Sequence, residues 1–149
     1  GLETPSLVKG RLFPIHPCDN LLLLDDTYNA NVGSMKSAIS VLQKYPAFRV
    51  FVVGDMAELG DNTPLCHQDV GEFARAAKLD LVISFGRDSA AISAVNLGRH
   101  FTDKTELVAY LTPIIKQQLT QQKVVVLVKG SRSMKMEDVI DLLKGNFLC

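Results

Sequence analysis

The sequence contains four short runs of uninterrupted apolar residues, and these runs sharply limit the folds open to the chain. They occupy residues 21–24, 50–53, 81–83 and 124–128. A strand with one face in water alternates polar and apolar residues, whereas a strand buried on both faces of a parallel sheet reads as a continuous apolar run. The four runs therefore predict the central strands of a parallel sheet.

Between the runs, apolar residues recur with the spacing of amphipathic helices. Four such stripes are present: Met35, Ala38, Ile39 and Leu42; Cys66, Val70, Phe73, Ala74 and Ala77; Leu107, Val108, Leu111, Ile114 and Ile115; and Met136, Val139, Ile140 and Leu143. Residues 88–94 predict a further short helix, residues 10–15 an edge strand and residues 100–101 another short strand. Strands that alternate with helices imply right-handed βαβ crossovers. The predicted fold is α/β, a doubly wound, mostly parallel sheet of about six strands with helices on both faces.

Two features of the third stripe bear on where its helix begins and ends. Asp103, with Glu106 three residues later, resembles a capping box and predicts a helix start. Pro113 lies inside the stripe, and proline removes an internal hydrogen bond from a helix. We therefore expect a kink or an early end near Pro113.

Composition excludes several classes of protein. The chain has 149 residues, the length of one ordinary domain, and its 16 basic and 16 acidic residues cancel. Nucleic acid is therefore not an expected partner, since the basic footprint of such proteins is missing. The longest apolar run is too short to span a bilayer. The three cysteines lack the spacing of a zinc site or a disulfide framework, so we expect a reducing cytoplasm.

The start of the chain reads like the interior of a longer protein. It has neither an initiator methionine nor a signal peptide. We expect residues 1–9 to be the end of a preceding domain or a linker, and residues 10–149 to form one domain.

Polar residues collect where the predicted strands end. In an open α/β sheet, ligands bind beyond the carboxyl ends of the strands, at the point where the strand order reverses. Four segments occupy such positions: DDTYNAN (25–31), GDMAELG (54–60), SFGRDS (84–89) and KGSRS (129–133). Any ligand-binding residues are expected within them.

Side chains of the first segment have both functional and structural interpretations. Asp25 and Asp26 could bind a metal ion, accept a hydrogen bond from a ribose hydroxyl, or cap the next helix. Tyr28 could stack on a base or cover the helix. Asn31 is the expected N-cap of a helix that begins near Gly33, which is a structural role.

The second segment and the histidine after it are less informative. Asp55 and Glu58 lie between glycines, and a solvated loop would look the same. His67 lies near a helix start, where packing or exposure is a more common role for histidine than catalysis.

The last segment combines two cations with hydroxyl groups. Lys129 and Arg132 follow a buried strand, with Ser131 and Ser133 beside an expected helix N-terminus. This combination suits an anion, although a solvated basic loop is the alternative. Neither cation has an acidic partner within KGSRSM, so we expect both to be unpaired and to face an anionic ligand. The chain has no GxxxxGK[ST] and no GxGxxG after a strand, so we expect another domain to supply a phosphate cradle.

Three motifs together resemble the C-terminal domain of the Mur ligase family. They are DDTYNANVGSM, VVGDMAELG with a histidine seven residues after Gly60, and VLVKGSRSMKME. The resemblance runs from about Gly10 to the end, in matching order and spacing, and GLETPSLVKGR is similar to the close of the family's central domain. One departure is Val32, where many relatives have proline; the change affects a turn and not a ligand.

The resemblance implies a Rossmann-like domain of an ATP-dependent amide ligase that joins D-alanyl-D-alanine to UDP-N-acetylmuramoyl-tripeptide, a step in peptidoglycan precursor synthesis. The family activates a carboxylate as an acyl phosphate, which an amine then attacks. ATP and Mg²⁺ are the implied cofactors, and the metal ligands belong mainly to the central domain. The implied partners are the N-terminal and central domains of the same polypeptide, in a cytoplasmic monomer.

The resemblance also assigns roles to individual residues. The positions that contact the nucleotide are Asp26, Tyr28, Asn29 and Asn31, with Asp26 at the ribose. The loop that faces the reacting groups and binds substrate contains Lys129, Ser131 and Arg132. Lys129 and Arg132 are the implied catalytic residues, because cations would stabilise the negative charge of the transition states. No residue of this chain is implied as a metal ligand.

Two other functions fit part of the pattern. A receiver-type signalling domain has an acidic pair after its first strand and a lysine after its last, as Asp25, Asp26 and Lys129 would provide. It also needs a phosphate-accepting aspartate at the end of its central strand, and residues 83–86 read ISFG. A free-standing nucleotide-binding module would have to bind ATP tightly without another domain.

Overall fold

A six-stranded sheet forms the centre of the molecule in the computed structural model, which describes residues 8–147. The strands are β1 (Phe13–Cys18), β2 (Leu21–Asp26), β3 (Phe48–Gly54), β4 (Leu81–Phe85), β5 (His100–Phe101) and β6 (Val124–Lys129). The helices are α1 (Val32–Gln43), α2 (Thr63–Ala76), α3 (Ala90–Val95), α4 (Lys104–Leu119) and α5 (Glu137–Asn146), and 3₁₀ turns span Gly60–Asn62 and Arg132–Met134. Positions 1–7 of the predicted tail, and residues 148–149, lie outside the described residues.

The strand order is β1-β2-β6-β3-β4-β5, and only the β1–β2 pairing is antiparallel within this sheet. The predicted α/β fold with a mostly parallel sheet of six strands is confirmed. The edge strand begins at Phe13 rather than at residue 10, after a turn in which Gly10 and Leu12 both have positive φ. None of the helices within residues 8–147 is long and apolar enough to cross a membrane.

Helices cover both faces of the sheet, as predicted. Val50 and Val52 of β3 point into the core beneath α4 and α5, while Phe51 and Val53 point into the core beneath α1, α2 and α3. The crossovers through α1, α2 and α3 move along the sheet toward β5, and the crossover through α4 returns to β6. Right-handed crossovers in opposite directions lie on opposite faces, which accounts for the two layers.

The predicted start of α1 is confirmed. The Asn31 side chain accepts a hydrogen bond from the Ser34 N–H at 2.8 Å, and the Ser34 hydroxyl accepts one from the Asn31 N–H at 3.0 Å. This reciprocal pair satisfies two N–H groups that the helix cannot satisfy itself. Asp103 likewise caps α4, accepting from the Glu106 N–H at 3.1 Å.

The predicted early end near Pro113 is wrong, because α4 continues to Leu119. Proline deprives the carbonyl of Ala109, four residues earlier, of its helical partner. Both Pro113 and Ala109 lie on the exposed face of α4, where water can satisfy that carbonyl. The buried face keeps its hydrogen bonds and holds the helix on the sheet.

The position of β6 contradicts the receiver-type alternative. A receiver-type domain orders its parallel strands 2-1-3-4-5, with the last strand at an edge. Here the last strand lies inside the sheet, between β2 and β3. That insertion also brings the loops after β2, β3 and β6 together at one edge.

Candidate functional site

Two clefts flank the carboxyl end of β6. The loops after β2 and β3 lead to helices on one face of the sheet, whereas the loop after β6 leads to α5 on the other face. Because β6 lies between β2 and β3, its loop turns away from the loops on both sides of it and leaves a cleft on each side. The first cleft has a volume of about 550 Å³, and its lining includes Arg11, Asp26, Tyr28, Ser34 and Lys129. The second has a volume of about 880 Å³, and its lining includes Glu58, Ser131, Arg132, Ser133, Lys135 and Glu137. Asn29, Ala30 and Asn31 line both clefts.

A buried ion pair forms the floor of the first cleft. The parallel register places Asp26, the last residue of β2, beside Lys129, the last residue of β6. Lys129 Nζ lies 2.9 Å from Asp26 Oδ2, and the two side chains are only 5% and 12% exposed. Lys129 Nζ also donates to the Asn29 carbonyl at 3.0 Å, and Asp26 Oδ1 accepts from the Leu12 N–H at 3.2 Å. The prediction that Lys129 lacks an acidic partner is therefore wrong.

The two adjacent aspartates have different roles, and neither caps α1. Neighbouring residues in a strand point to opposite faces. Asp25 accepts hydrogen bonds from the Thr27 N–H at 3.2 Å and the Thr27 hydroxyl at 2.6 Å, so it fixes the start of the β2–α1 loop. Asp26 instead lines the first cleft. The capping interpretation is wrong because Asn31 occupies that position.

Tyr28 and Asn29 lie at the mouth of the first cleft. The Tyr28 N–H donates to the Gly10 carbonyl at 2.8 Å, and the Arg11 guanidinium lies 4.2 Å from the centre of the tyrosine ring. A side chain on Gly10 would press against Tyr28, since its Cβ would lie 3.3 Å from Tyr28 Cβ. Tyr28 is still 49% exposed, so much of its ring surface is open to a ligand. Asn29 Oδ1 accepts from the Ala30 N–H at 2.8 Å.

Arg132 bridges two elements at the second cleft. One guanidinium N–H donates to the Thr27 carbonyl at 3.3 Å, and another nitrogen forms an ion pair with Glu137 of α5. The prediction that Arg132 lacks an acidic partner is therefore also wrong, because its partner lies just beyond KGSRSM. A guanidinium has five N–H donors, and two of them are used by residues within 8–147. The side chain is 47% exposed, so the others can reach a ligand.

The sequence placed the serines of this loop beside a helix N-terminus, but in the structure they do not lie beside the N-terminus of α5. A 3₁₀ turn follows Ser131, and α5 begins only at Glu137. Ser131 is 2% exposed, and its N–H donates to the Asp55 carbonyl at 2.9 Å. Its hydroxyl lies 3.1 Å from the Ser133 hydroxyl. The β3 end therefore sets the position of the KGSRS loop.

Asp55 is buried and holds the loop after β4 in place, so it is not part of a solvated loop. Its carboxylate accepts from the Arg87 N–H at 2.9 Å and the Ser89 N–H at 2.8 Å. Gly86 allows this approach, since a Cβ there would lie 2.6 Å from Asp55 Oδ1. Burial alone would raise the pKa of Asp55, but the backbone N–H groups of Arg87 and Ser89 lower it below its ordinary value of 3.8. Segment 84–89 is thus held at the sheet edge, and it lines neither cleft.

Replacing Asp55 by asparagine is expected to lower the free energy of unfolding at neutral pH by about 1–3 kcal/mol, because the amide cannot accept the same hydrogen bonds. The lowered pKa means that the ionised carboxylate stabilises the fold above about pH 4 and that this contribution disappears as the pH falls through the folded-state value. Asp55→Asn should therefore lose less stability than the wild-type chain below about pH 4.

Urea unfolding at a series of pH values measures both effects. The matched control is Asp61→Asn, which changes an exposed carboxylate without a partner among residues 8–147. A variant whose acid sensitivity equals that of the wild-type chain would show that Asp55 does not have this role.

His67 is structural. It is fully buried, its Nε2 accepts from the Met56 N–H at 3.0 Å, and its Nδ1 lies 2.8 Å from the Thr63 carbonyl. Because a carbonyl only accepts, Nδ1 carries the proton and the imidazole is neutral. His67 therefore fixes the loop that carries Glu58, and neither ring nitrogen is free for catalysis.

Three charged residues of the clefts were not singled out from the sequence. They are Arg11 in the first cleft and Lys135 and Glu137 in the second. Glu58 and Lys135 have left-handed backbones, with φ of 60° and 49°. Lys135 lies within KGSRSMKME, but no sequence pattern predicts that a lysine adopts this conformation.

The clefts differ in charge. The first contains two cations, Arg11 and Lys129, and one carboxylate, Asp26, so it suits an anion. The second contains Glu58 and Glu137 with Arg132 and Lys135, so its charges balance. Across residues 8–147, no group of three or more histidine, cysteine, aspartate or glutamate side chains could hold a metal ion.

Residues 10–132 match the family described as Mur ligase, glutamate ligase domain. The UDP-N-acetylmuramoyl-tripeptide–D-alanyl-D-alanine ligase of Haemophilus influenzae is 59% identical over 100% of this chain and 33% of its own length. The ligase of the same name from Escherichia coli is 53% identical over 100% of this chain and 32% of its own length. This chain therefore spans about a third of these relatives.

Solved structures show the same fold. A crystal structure of MurF from Acinetobacter baumannii has a TM-score of 0.85 and 33% identity, over 94% of this chain and 31% of that one. MurF ligase from Thermotoga maritima, in complex with ADP, has a TM-score of 0.81 and 26% identity, over 95% of this chain and 32% of that one.

Proposed function

Because this chain belongs to the Mur ligase family, we propose that it is the C-terminal domain of an ATP-dependent ligase that joins D-alanyl-D-alanine to UDP-N-acetylmuramoyl-tripeptide. The ligase activates the tripeptide carboxylate as an acyl phosphate, which the dipeptide amine attacks with release of phosphate. Residues 1–9 end the preceding domain, and residues 10–149 close over the nucleotide.

The observation that carries this proposal is the convergence of the nucleotide-binding candidates on the first cleft, at a point where the strand order reverses. Asp26 uses one lone pair of each oxygen within the fold, and a carboxylate has about four such sites. It can therefore still accept a ribose hydroxyl. Tyr28 offers exposed ring surface to the base, and Asn29 and Asn31 line the same cleft.

Lys129 and Arg132 serve the reaction from different clefts. Lys129 lines the first cleft with the nucleotide-binding candidates, and Arg132 lines the second with Ser131. Acyl phosphate formation and its collapse both build up negative charge, and cations held in place before the reaction stabilise such transition states. The ion pairs with Asp26 and Glu137 hold these two cations in position.

Other domains of the same polypeptide complete the proposed active site. The N-terminal and central domains of the same polypeptide supply the phosphate cradle and the ligands of Mg²⁺, which neutralises phosphate charge when bound. Domain closure excludes the water that would hydrolyse the acyl phosphate. The complete protein acts as a monomer in the cytoplasm, and it binds neither nucleic acid nor a membrane.

Replacing Arg132 by alanine in the complete ligase is expected to lower kcat by about tenfold, the loss of about 1.4 kcal/mol of transition-state stabilisation. Stability should change by less than about 1 kcal/mol, because the Arg132–Glu137 pair is partly exposed. Arg132→Lys should also slow the reaction, since lysine keeps the charge but loses the planar fork.

Steady-state turnover under saturating substrates, with thermal unfolding measured in parallel, tests this expectation. Arg75→Ala is the control, because Arg75 is exposed on α2 and lines neither cleft. Normal turnover of both Arg132 variants, with reduced stability, would assign Arg132 to the fold and remove it from the reaction.

A further inference from the structure

The second cleft contains two charged side chains that the fold does not use. Glu58 and Lys135 are exposed, and neither side chain has a hydrogen-bond or ion-pair partner in the part of the chain from residue 8 to residue 147. By contrast, Arg132 and Glu137 in the same cleft pair with each other. The cleft therefore presents one free carboxylate and one free ammonium group.

The backbone of Lys135 is held in its left-handed conformation from several sides. Its N–H donates to the Arg132 carbonyl at 3.2 Å, and its carbonyl accepts from the Asp138 N–H at 3.0 Å. The same carbonyl accepts from Lys104 Nζ at 3.0 Å, and Lys104 also forms an ion pair with Asp138. These contacts fix where the side chain starts and leave its ammonium group free.

The residues on both sides of Glu58, in the same cleft, are held in place. Before it, the Met56 N–H donates to the buried His67; after it, the Thr63 hydroxyl donates to the Gly60 carbonyl at 2.7 Å. Glu58 itself adopts a φ of 60°, which costs free energy for a residue with a side chain. Such a conformation persists where the surrounding structure imposes it, and it is common at ligand sites.

We propose that Glu58 and Lys135 bind the two charged ends of the incoming dipeptide, Glu58 the ammonium group and Lys135 the carboxylate. This inference rests on the proposed function and adds two specificity-determining residues to it. A free dipeptide is a zwitterion, and the balanced charge of the second cleft matches it, whereas the net positive first cleft matches a nucleotide. One free group of each sign provides one partner for each end.

The test uses the complete ligase with the variants Lys135→Met and Glu58→Gln, which keep side-chain length and remove the charge. Each should raise the KM for D-alanyl-D-alanine by about tenfold, the effect of losing one charge-assisted hydrogen bond at an exposed cleft. The KM for ATP and the melting temperature should stay unchanged. Lys135→Arg should retain most of the affinity, and Lys123→Met, an exposed lysine that lines neither cleft, is the control.

A second substrate tests which end Lys135 binds. D-alanyl-D-alaninamide keeps the amine and lacks the carboxylate, so Lys135→Met should raise its KM very little, whereas Glu58→Gln should raise it about tenfold. Equal increases for the acid and the amide in Lys135→Met would overturn the assignment of the carboxylate. Unchanged dipeptide KM in both variants would overturn the inference while the proposed function stands. A wild-type ligase that forms no product from D-alanyl-D-alanine would contradict the proposed function itself.

Discussion

Replacing Asp26 by alanine is expected to lower the free energy of unfolding of this chain by about 3 kcal/mol, because it leaves the Lys129 ammonium group buried without its carboxylate. The Asn29 carbonyl still accepts from Lys129, but it is neutral and cannot replace the lost charge. Breaking an ion pair as buried as this one costs far more than breaking an exposed pair.

Urea unfolding of the chain measures this cost, and Asp69→Ala provides the comparison. Asp69 pairs with Lys36 at 2.8 Å, with side chains 55% and 33% exposed, so its loss should cost less than about 1 kcal/mol. Equal, small effects of the two replacements would contradict the buried pair.

The double variant Asp26→Ala/Lys129→Met separates the fold from the ligand. Removing the buried ammonium group should recover most of the lost stability, because neither charge is then left unpaired. In the complete ligase, the ATP Michaelis constant should nevertheless stay raised. The increase should correspond to the loss of roughly 1.5–3 kcal/mol of binding free energy from one hydrogen bond to a charged group. A double variant with a normal ATP Michaelis constant would show that neither Asp26 nor Lys129 contributes to nucleotide binding and that their pair serves the fold.

The sequence predicted the framework of this molecule well, since each central strand is a continuous apolar run and α1, α2, α4 and α5 each have an apolar stripe. Hydrophobic periodicity and the length of an apolar run are local properties of the sequence, so they can be read without knowing which elements pack together. The N-cap at Asn31 was predictable for the same reason, because it depends on residues only three apart. The early helix end at Pro113 was wrong because the cost of proline depends on its exposure on the outer face of α4, and exposure is a tertiary property.

The site was predictable only in its location. That polar residues gather after β2 and β6 follows from the sheet, but the Asp26–Lys129 pair follows from β6 lying next to β2, which no local pattern specifies. The sequence left the role of Asp55 open and favoured a structural role for His67, and in the fold both side chains hold loops in place through hydrogen bonds. Lys135 was missed and the role of Glu58 was left open, because no sequence pattern predicts their left-handed backbones.

The most direct test of this account is ATP-dependent formation of the joined product by the complete ligase, measured beside this chain alone. The complete protein, with the preceding domains attached, should join D-alanyl-D-alanine to UDP-N-acetylmuramoyl-tripeptide and release one phosphate for each bond formed. The chain alone should fold and form no product, because it has no GxxxxGK[ST] phosphate cradle. Product from the chain alone, or none from the complete protein when both substrates and ATP are saturating, would contradict the account.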